Sequence, residues 1–331
     1  MEHRTFGDSD LTSSALGFGT WEMSTTQYGA IDVQEASRAV NAAIDRGIML
    51  FDTAEVYGPF LSEELLGRAL GTRRREIVLV TKVGFQYSPE GKFAGRNSRY
   101  ENVISSAEGC LKRLNTDWID LLLIHWPDHD TPYDEPIRAL EDLKAAGKIR
   151  HYGVSNFSPA MMEVCERAGH LTANQVGYHL FDRRMERAVL PYCQGHGIGF
   201  MAYGTLGFGL LAGAFTPATT FSEGDWRSRG MAFGLPLFQK ESFLKELRVV
   251  KRLQELAARY EKSMAQLAIA WALSHPVVTV ALVGMRNTKE LEENVAAVDW
   301  KLTAEDKEEI DRIFAEEDLP TYVRAPQAYD L

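Results

Sequence analysis

The sequence predicts a closed (β/α)8 TIM barrel with an N-terminal hairpin and an extra C-terminal helix. Three observations carry that prediction. About eight short β-rich runs alternate with helical patterns along the 331 residues, the order that a parallel sheet joined by crossover helices requires. Several runs, such as EIVLVTK at 76–82 and IDLLLIH at 119–125, are apolar almost without interruption, as strands are when both faces are covered. The competitor, an open doubly wound sheet, lacks its glycine fingerprint. Gly17-Phe18-Gly19 is followed by Glu22 where the third glycine belongs, and Gly207-Phe208-Gly209 meets its next glycine one position late, at Gly213. A barrel of this length is routinely one domain. Residues 1–331 therefore read as a single unit, with a tail over about 317–331.

Residues 3–14 read as a hairpin turning at Gly7-Asp8, and 15–19 as the first barrel strand. Residues 33–46 form a helix, with Ala36, Val40, Ala43 and Ile44 recurring on one face. A strand at 48–51 leads to a helix at 62–70, and the strand at 76–82 to a helix at 98–114 with Leu111 and Leu114 inward. The strand at 119–125 precedes a helix at 135–146, which Gly147 ends. The strand at 149–154 precedes a helix at 158–168, with Ser158 as N-cap and Pro159 at the first helical position. A short strand at 173–176, a helix at 184–196 and a strand at 198–203 follow, then a long Gly- and Phe-containing loop to about Pro236. Helices fill 241–260 and 263–274. The last strand is 277–283, and helices at 288–297 and 304–315 close the fold.

Composition narrows the partners. Hydrophobic residues make up 45% of the chain, ample for a large core, and the formal net charge is −10. That balance leaves no basic footprint for nucleic acid or for an anionic membrane surface. The opening MEHRTFGDSD lacks the apolar stretch of a signal peptide, and the most apolar helix, around 265–273, is too short to span a bilayer. Cys110, Cys165 and Cys193 are odd in number and far apart, which suggests a reducing compartment rather than a disulfide framework or a zinc site. A cytoplasmic protein is expected. In HWPDH, Pro127 breaks any helix that would align His125 with His129, and PDHDTPYDEP reads as a solvated loop. No metal is expected.

The stretch MLFDTAEVYG at 49–58 points to chemistry. An apolar run stops on Asp52, and Tyr57 follows five residues later. Lys82 ends EIVLV and His125 ends DLLLI. In a barrel, functional groups sit at the C-terminal ends of the strands. The four types make sense together. A tyrosine has a pKa near 10, and a nearby ammonium favours its phenolate. Asp52 would pair with Lys82 and keep it charged, and His125 would orient a carbonyl. Tyr57 would protonate the carbonyl oxygen, help of a kind that contributes about 10²–10⁴-fold. No nucleophile is needed if the electrons arrive as a hydride from a cofactor.

Asp52, Tyr57, Lys82 and His125 resemble the catalytic tetrad of the aldo-keto reductases. The surrounding FDTAEVYG, VTKVG, LLLIHWPD, GKIRHYGVSNF and LEEN are similar to that family's motifs, from about residue 3 to 315. IHWPD with the following TPYDEP, and TTFSEGDWR, look most like the bacterial branch of inositol-utilisation and general-stress reductases. The resemblance implies NADPH-dependent reduction of an aldehyde or ketone, including sugar- or polyol-derived carbonyls, with NADH as the alternative cofactor. It implies that Ser155, Asn156 and Gln175 meet the nicotinamide carboxamide and that Tyr203 stacks on the ring. Thr20, Trp21 and Asp52 would border the cofactor. Gly204, Thr205, Leu206, Gly209 and Leu211 would follow the pyrophosphate, with Gly204-Thr205 standing where the family commonly has Ser-Pro.

After the last strand, VGMRNTKELEEN brings Gly284 for close approach, Arg286 for the 2′-phosphate, and Glu293 and Asn294 for the adenine. A helix starting near Thr288 would offer free N–H groups to phosphate. Glu290 stands where many members carry Gln, His or Arg. Trp21, Tyr57, Phe85, His125 and Trp126 would form the substrate pocket, with Tyr87 and Trp226 at its rim.

Two rival functions share these residues. One is a Schiff-base lyase with Lys82 as nucleophile, which a nearby Asp52 would oppose. The other is an NADPH-binding redox-sensing module with slow turnover. The expected partner is a small carbonyl or alcohol, and the irregular tail PTYVRAPQAYDL is open to two readings, folding over the mouth or contacting another subunit of a homo-oligomer.

Overall fold

The computed structural model describes residues 1–24, 32–88 and 90–319. An antiparallel hairpin opens the chain, β1 (His3–Thr5) against β2 (Thr12–Ser14). Then come β3 (Leu16–Gly19), β4 (Leu50–Asp52) and β5 (Val78–Val83), and a small antiparallel pair, β6 (Phe85–Tyr87) with β7 (Phe93–Arg96). The chain continues through β8 (Ile119–Ile124), β9 (Ile149–Ser155), β10 (Ala173–Gly177), β11 (Gly199–Tyr203) and β12 (Val278–Gly284). Strands β3, β4, β5, β8, β9, β10, β11 and β12 close a parallel barrel in that order, with Leu16 of β3 opposite Ala281 of β12. This is the (β/α)8 barrel the sequence predicts.

The helices are α1 (Val33–Asp45), α2 (Leu61–Leu70), α3 (Tyr100–Leu114), α4 (Asp134–Ala145) and α5 (Pro159–Cys165), then α6 (Val189–Gly195), α7 (Lys240–Ala258), α8 (Met264–Leu273), α9 (Thr288–Val295) and α10 (Ala304–Glu316). Their starts are written in capping side chains. Asp32 accepts from the N–H groups of Gln34 and Glu35, and Ser158 from Met161 ahead of Pro159. Ser263 with Gln266, and Thr303 with Asp306, form reciprocal capping boxes.

Strand periodicity divides the apolar residues into two clusters. Inside the barrel lie Leu50, Val78, Val80, Leu121, Leu123, Ala173, Met201, Val280 and Leu282, with Phe6 and Leu11 from the hairpin region. The larger cluster, including Phe18, Phe51, Leu79, Leu122 and Ile124, packs between sheet and helices. The interior is full at Gly17. A Cβ there would come within 2.7 Å of the Leu282 side chain and 2.9 Å of Val280.

Two local expectations change. The helix predicted over 184–196 divides into a 3₁₀ turn at Arg184–Arg187 and α6, because Pro191 has no N–H to give an uninterrupted helix and fits only in a first turn. The β6–β7 hairpin was not foreseen. Its strands are only three and four residues long, too short to show a period. The tail expected over 317–331 lies, from residue 320 on, outside the described residues.

Candidate active site

Alternation along the strands explains how the mouth of the barrel becomes polar. One inward step above Leu50, Val80, Leu123, Ala173 and Met201 come Asp52, Lys82, His125, Gln175 and Tyr203. Lys82 has no exposed surface. Its Nζ donates to Asp52 Oδ1 at 2.6 Å, to the Thr53 carbonyl at 2.9 Å and to the Tyr57 phenol oxygen at 3.2 Å. The other oxygen of Asp52 accepts from Gln175 Nε2 at 2.7 Å. Burial pushes the Lys82 ammonium down and the Asp52 carboxyl up, and their pairing opposes both shifts. All three ammonium donors are used, which fits the charged form. Because Lys82 donates to the phenol oxygen, Tyr57 keeps its own proton to give.

His125 follows β8 and meets Tyr57 edge to face, ring centres 5.8 Å apart. Burial first, then the charges of Lys82 and Arg96, hold its pKa well below the ordinary value. The imidazole is neutral at physiological pH, with one donor and one acceptor nitrogen. Its Nδ1 is buried with no partner among the described residues. Asn156 Nδ2 donates to the His125 carbonyl at 3.1 Å.

A cavity of about 1010 Å³ opens over this cluster. Trp21, Tyr57, Phe85, His125 and Trp126 line it, as do Asp52, Ser155, Asn156, Gln175 and Tyr203. Gly204, Thr205, Leu206 and Gly209 continue the wall to Gly284, Arg286, Glu293 and Asn294. The groups expected to meet a carboxamide are interlinked. Ser155 donates to the Gln175 carbonyl, Asn156 donates to Ser155 Oγ, and Tyr203 donates to Asn156 Oδ1 at 2.9 Å.

Several expectations are corrected. Thr20 does not line the cavity: its buried hydroxyl donates to the Asp52 carbonyl and accepts from Ser62. Leu211 is fully buried in the core and does not line the cavity. Tyr87 turns its ring onto Phe60, and Trp226 stacks against Trp21 without lining the cavity. The start of α9 is not an open anion site. Glu35 takes the Thr288 N–H, and the Asn287 side chain takes the N–H of Glu290.

Other wall residues had not been singled out. Glu22 lines the cavity, and its carboxylate lies so close to Gly284 that a Cβ there would be 2.0 Å from Glu22 Cδ. Burial pushes that carboxyl up to about 7, against the pull of a backbone hydrogen bond and of Arg286. Arg96 and Phe93 enter from β7, and Phe208, Arg227 and Phe233 from the loop after β11. Phe208 and Phe233 both hold left-handed backbone conformations, φ +58° and +48°. Nothing in local sequence marks a phenylalanine for that region.

A parallel barrel with a buried Lys–Asp pair beneath a phenol and a neutral imidazole is the frame of a carbonyl-handling enzyme. The model of the aldo/keto reductase family matches residues 15–315, and the chain belongs to that family. It is an oxidoreductase. Aldo-keto reductase YhdN of Bacillus subtilis is 37% identical over 316 residues, covering 95% of this chain and 93% of that protein. The glycerol dehydrogenase AKR11B4 of Gluconobacter oxydans superposes with a TM-score of 0.88 at 36% identity, over 96% of each chain. An aldo/keto reductase of Klebsiella pneumoniae, solved in complex with NADP and acetate, superposes with a TM-score of 0.74 at 29% identity, over 94% of this chain and 95% of its own. No helix among the described residues is long and apolar enough to cross a membrane. None of their His, Cys, Asp and Glu side chains form a group of three or more that could hold a metal ion.

Proposed function

We propose that this protein reduces an aldehyde or ketone to an alcohol with NADPH, and runs in reverse on the corresponding alcohol. The observation that carries the reading is the hydrogen bond from the fully buried Lys82 ammonium to the Tyr57 phenol, at the floor of a cavity that His125 also faces. The cavity wall fits an extended dinucleotide. It is continuous and large, glycine-rich at Gly204 and Gly209, and carries Arg286 beside Glu293 and Asn294. The solved Klebsiella relative with NADP supports the same cofactor. One residue resists: Glu22, packed on Gly284, must hold a proton or move before an anion passes, and its raised pKa favours the proton.

The cofactor supplies a hydride. Tyr57 gives its proton to the carbonyl oxygen, and the Lys82 hydrogen bond stabilises the phenolate left behind. Neutral His125 donates to the same oxygen without adding a positive charge. Asp52 and Gln175 hold Lys82 in place. The burial and full hydrogen bonding of Lys82 argue against a covalent role for its amine. The buried thiols Cys110, Cys165 and Cys193 accord with a cytoplasmic location. Substitution Tyr57→Phe is expected to lower kcat by about 10²–10⁴-fold while NADPH still binds with wild-type affinity by fluorescence titration. A variant that keeps near-full turnover would sink this reading.

A further inference from the structure

Arg96 ends β7 opposite Phe85. Its guanidinium lies 5.2 Å from the Trp126 ring centre, and Nη1 donates to the Pro127 carbonyl at 3.1 Å. Those contacts hold a positive group on the cavity wall beside His125 and Trp126. Burial pushes its pKa down and the Asp128 charge pulls it up, and a guanidinium remains charged throughout. Asp128 itself accepts from the N–H groups of Ser98 and Asp130 and from the Thr131 hydroxyl. The neighbouring cation, Lys82, is committed to Asp52. The rest of this wall, Trp21, Phe85, Phe93 and Trp126, is aromatic. Four arginines line the cavity, Arg96, Arg227, Arg229 and Arg286, and Arg96 is the one whose charge acts on His125. A carbonyl seated at Tyr57 and His125 would therefore have that guanidinium and several ring faces to meet its other end.

We propose that Arg96 is an anion subsite, and that the preferred substrates are aldehydes carrying their own carboxylate or phosphate. The carbonyl end would sit at Tyr57 and His125, and the anionic end on the guanidinium. This rests on the carbonyl-reductase reading and narrows its substrate class. The planar fork of a guanidinium matches a carboxylate or phosphate with paired donors. Aromatic walls exclude water and strengthen the pair.

The test compares succinic semialdehyde with butanal, which carries a methyl group in place of the terminal carboxylate. The wild type is expected to prefer the anion. Arg96→Gln should raise KM for succinic semialdehyde by about tenfold to a hundredfold, the range of one charge-assisted hydrogen bond, and change KM for butanal far less. Arg96→Lys should recover part of the preference. Equal losses on both aldehydes would make Arg96 a mere support for Trp126 and overturn the proposal, as would a wild type indifferent to the carboxylate. Binding is read separately, by quenching of tryptophan fluorescence with 4-hydroxybutanoate against butan-1-ol. Loss of the 4-hydroxybutanoate signal in Arg96→Gln supports the subsite, and undiminished binding refutes it. If the wild type reduces neither aldehyde, the reductase reading fails, and the binding arm still decides the subsite.

Discussion

Arg286 and Glu290 lie one helical turn apart and pair at 3.0 Å, and the Arg286 N–H also donates to Glu290 at 2.9 Å. A 2′-phosphate reaching Arg286 therefore competes with an internal carboxylate. Both side chains are partly exposed, so the pair is worth only about 0–1 kcal/mol, little enough for a phosphate to displace. Glu290→Gln is expected to tighten NADPH by up to about fivefold and leave NADH unchanged, while Arg286→Ala weakens NADPH far more than NADH. Side-by-side fluorescence titrations check both. Equal loss of the two cofactors in Arg286→Ala would remove Arg286 as the phosphate partner. At this scale the sequence shows well those residues that interrupt a pattern. Asp52, Lys82 and His125 each end an apolar run, and Tyr57 follows at a short fixed distance. Glu22 and Arg96 interrupt nothing. They reach the cavity only through the packing of the 3₁₀ turn at Trp21–Met23, the β6–β7 hairpin and the barrel, which no local window contains. Thr20 and Leu211 err the other way: adjacency to the site in sequence did not give them access to it.

Among the elements, the barrel strands were legible because burial on both faces leaves a continuous apolar run, and helices such as 33–46 and 158–168 because of a 3.6-residue stripe or the Ser158-Pro159 start. The β6–β7 pair was not, since its register depends on partners rather than pattern. Helix α7 hides a different problem. Glu246 looks like one more charge on an amphipathic helix, yet it has no exposed surface, and neither carboxylate oxygen has a partner among the described residues. Burial pushes its carboxyl from 4.5 up to about 9. Between those values the folded chain holds a proton that the unfolded chain has lost, so stability falls as pH rises through that window. Glu22 and Glu55, raised to about 7 and 8 by burial, act in the same direction. The contribution of Glu246 is therefore read as a difference. Glu246→Met, similar in length and without the titrating proton, should raise Tm over the wild type by more at pH 8 than at pH 5. Parallel Tm–pH curves for the two proteins would mean that Glu246 ionises in the fold at no cost.

Across the whole molecule, the two ends of the barrel carry different loads. The polar cluster and cavity occupy the C-terminal ends of the strands, and the N-terminal hairpin region serves the other end. Phe6, in the turn of that hairpin, is fully buried and belongs to the interior cluster with Leu50, Val78 and Leu121. Its N–H donates to the Leu11 carbonyl at 2.9 Å, and the next turn residue but one, Asp8, donates to the Gly197 carbonyl at 2.9 Å. Gly199 at the start of β11 makes room for it, since a Cβ there would come within 2.7 Å of the Phe6 ring. Phe6 thus plugs the barrel from below. Phe6→Ala leaves a cavity at the end of a packed column that cannot collapse without moving the strands, so the cost is expected to be about 3–5 kcal/mol. For a chain of 331 residues, the usual unfolding entropy per residue converts that into a Tm lowered by about 4–7 °C. Cofactor affinity and KM, measured below the transition, should stay at wild-type values, because Asp52, Lys82 and His125 are fixed by their own hydrogen bonds and by the strand register above the plug. A variant whose Tm holds while KM drifts would show the opposite division: a plug that tunes the site through the barrel wall and contributes little to the stability of the fold.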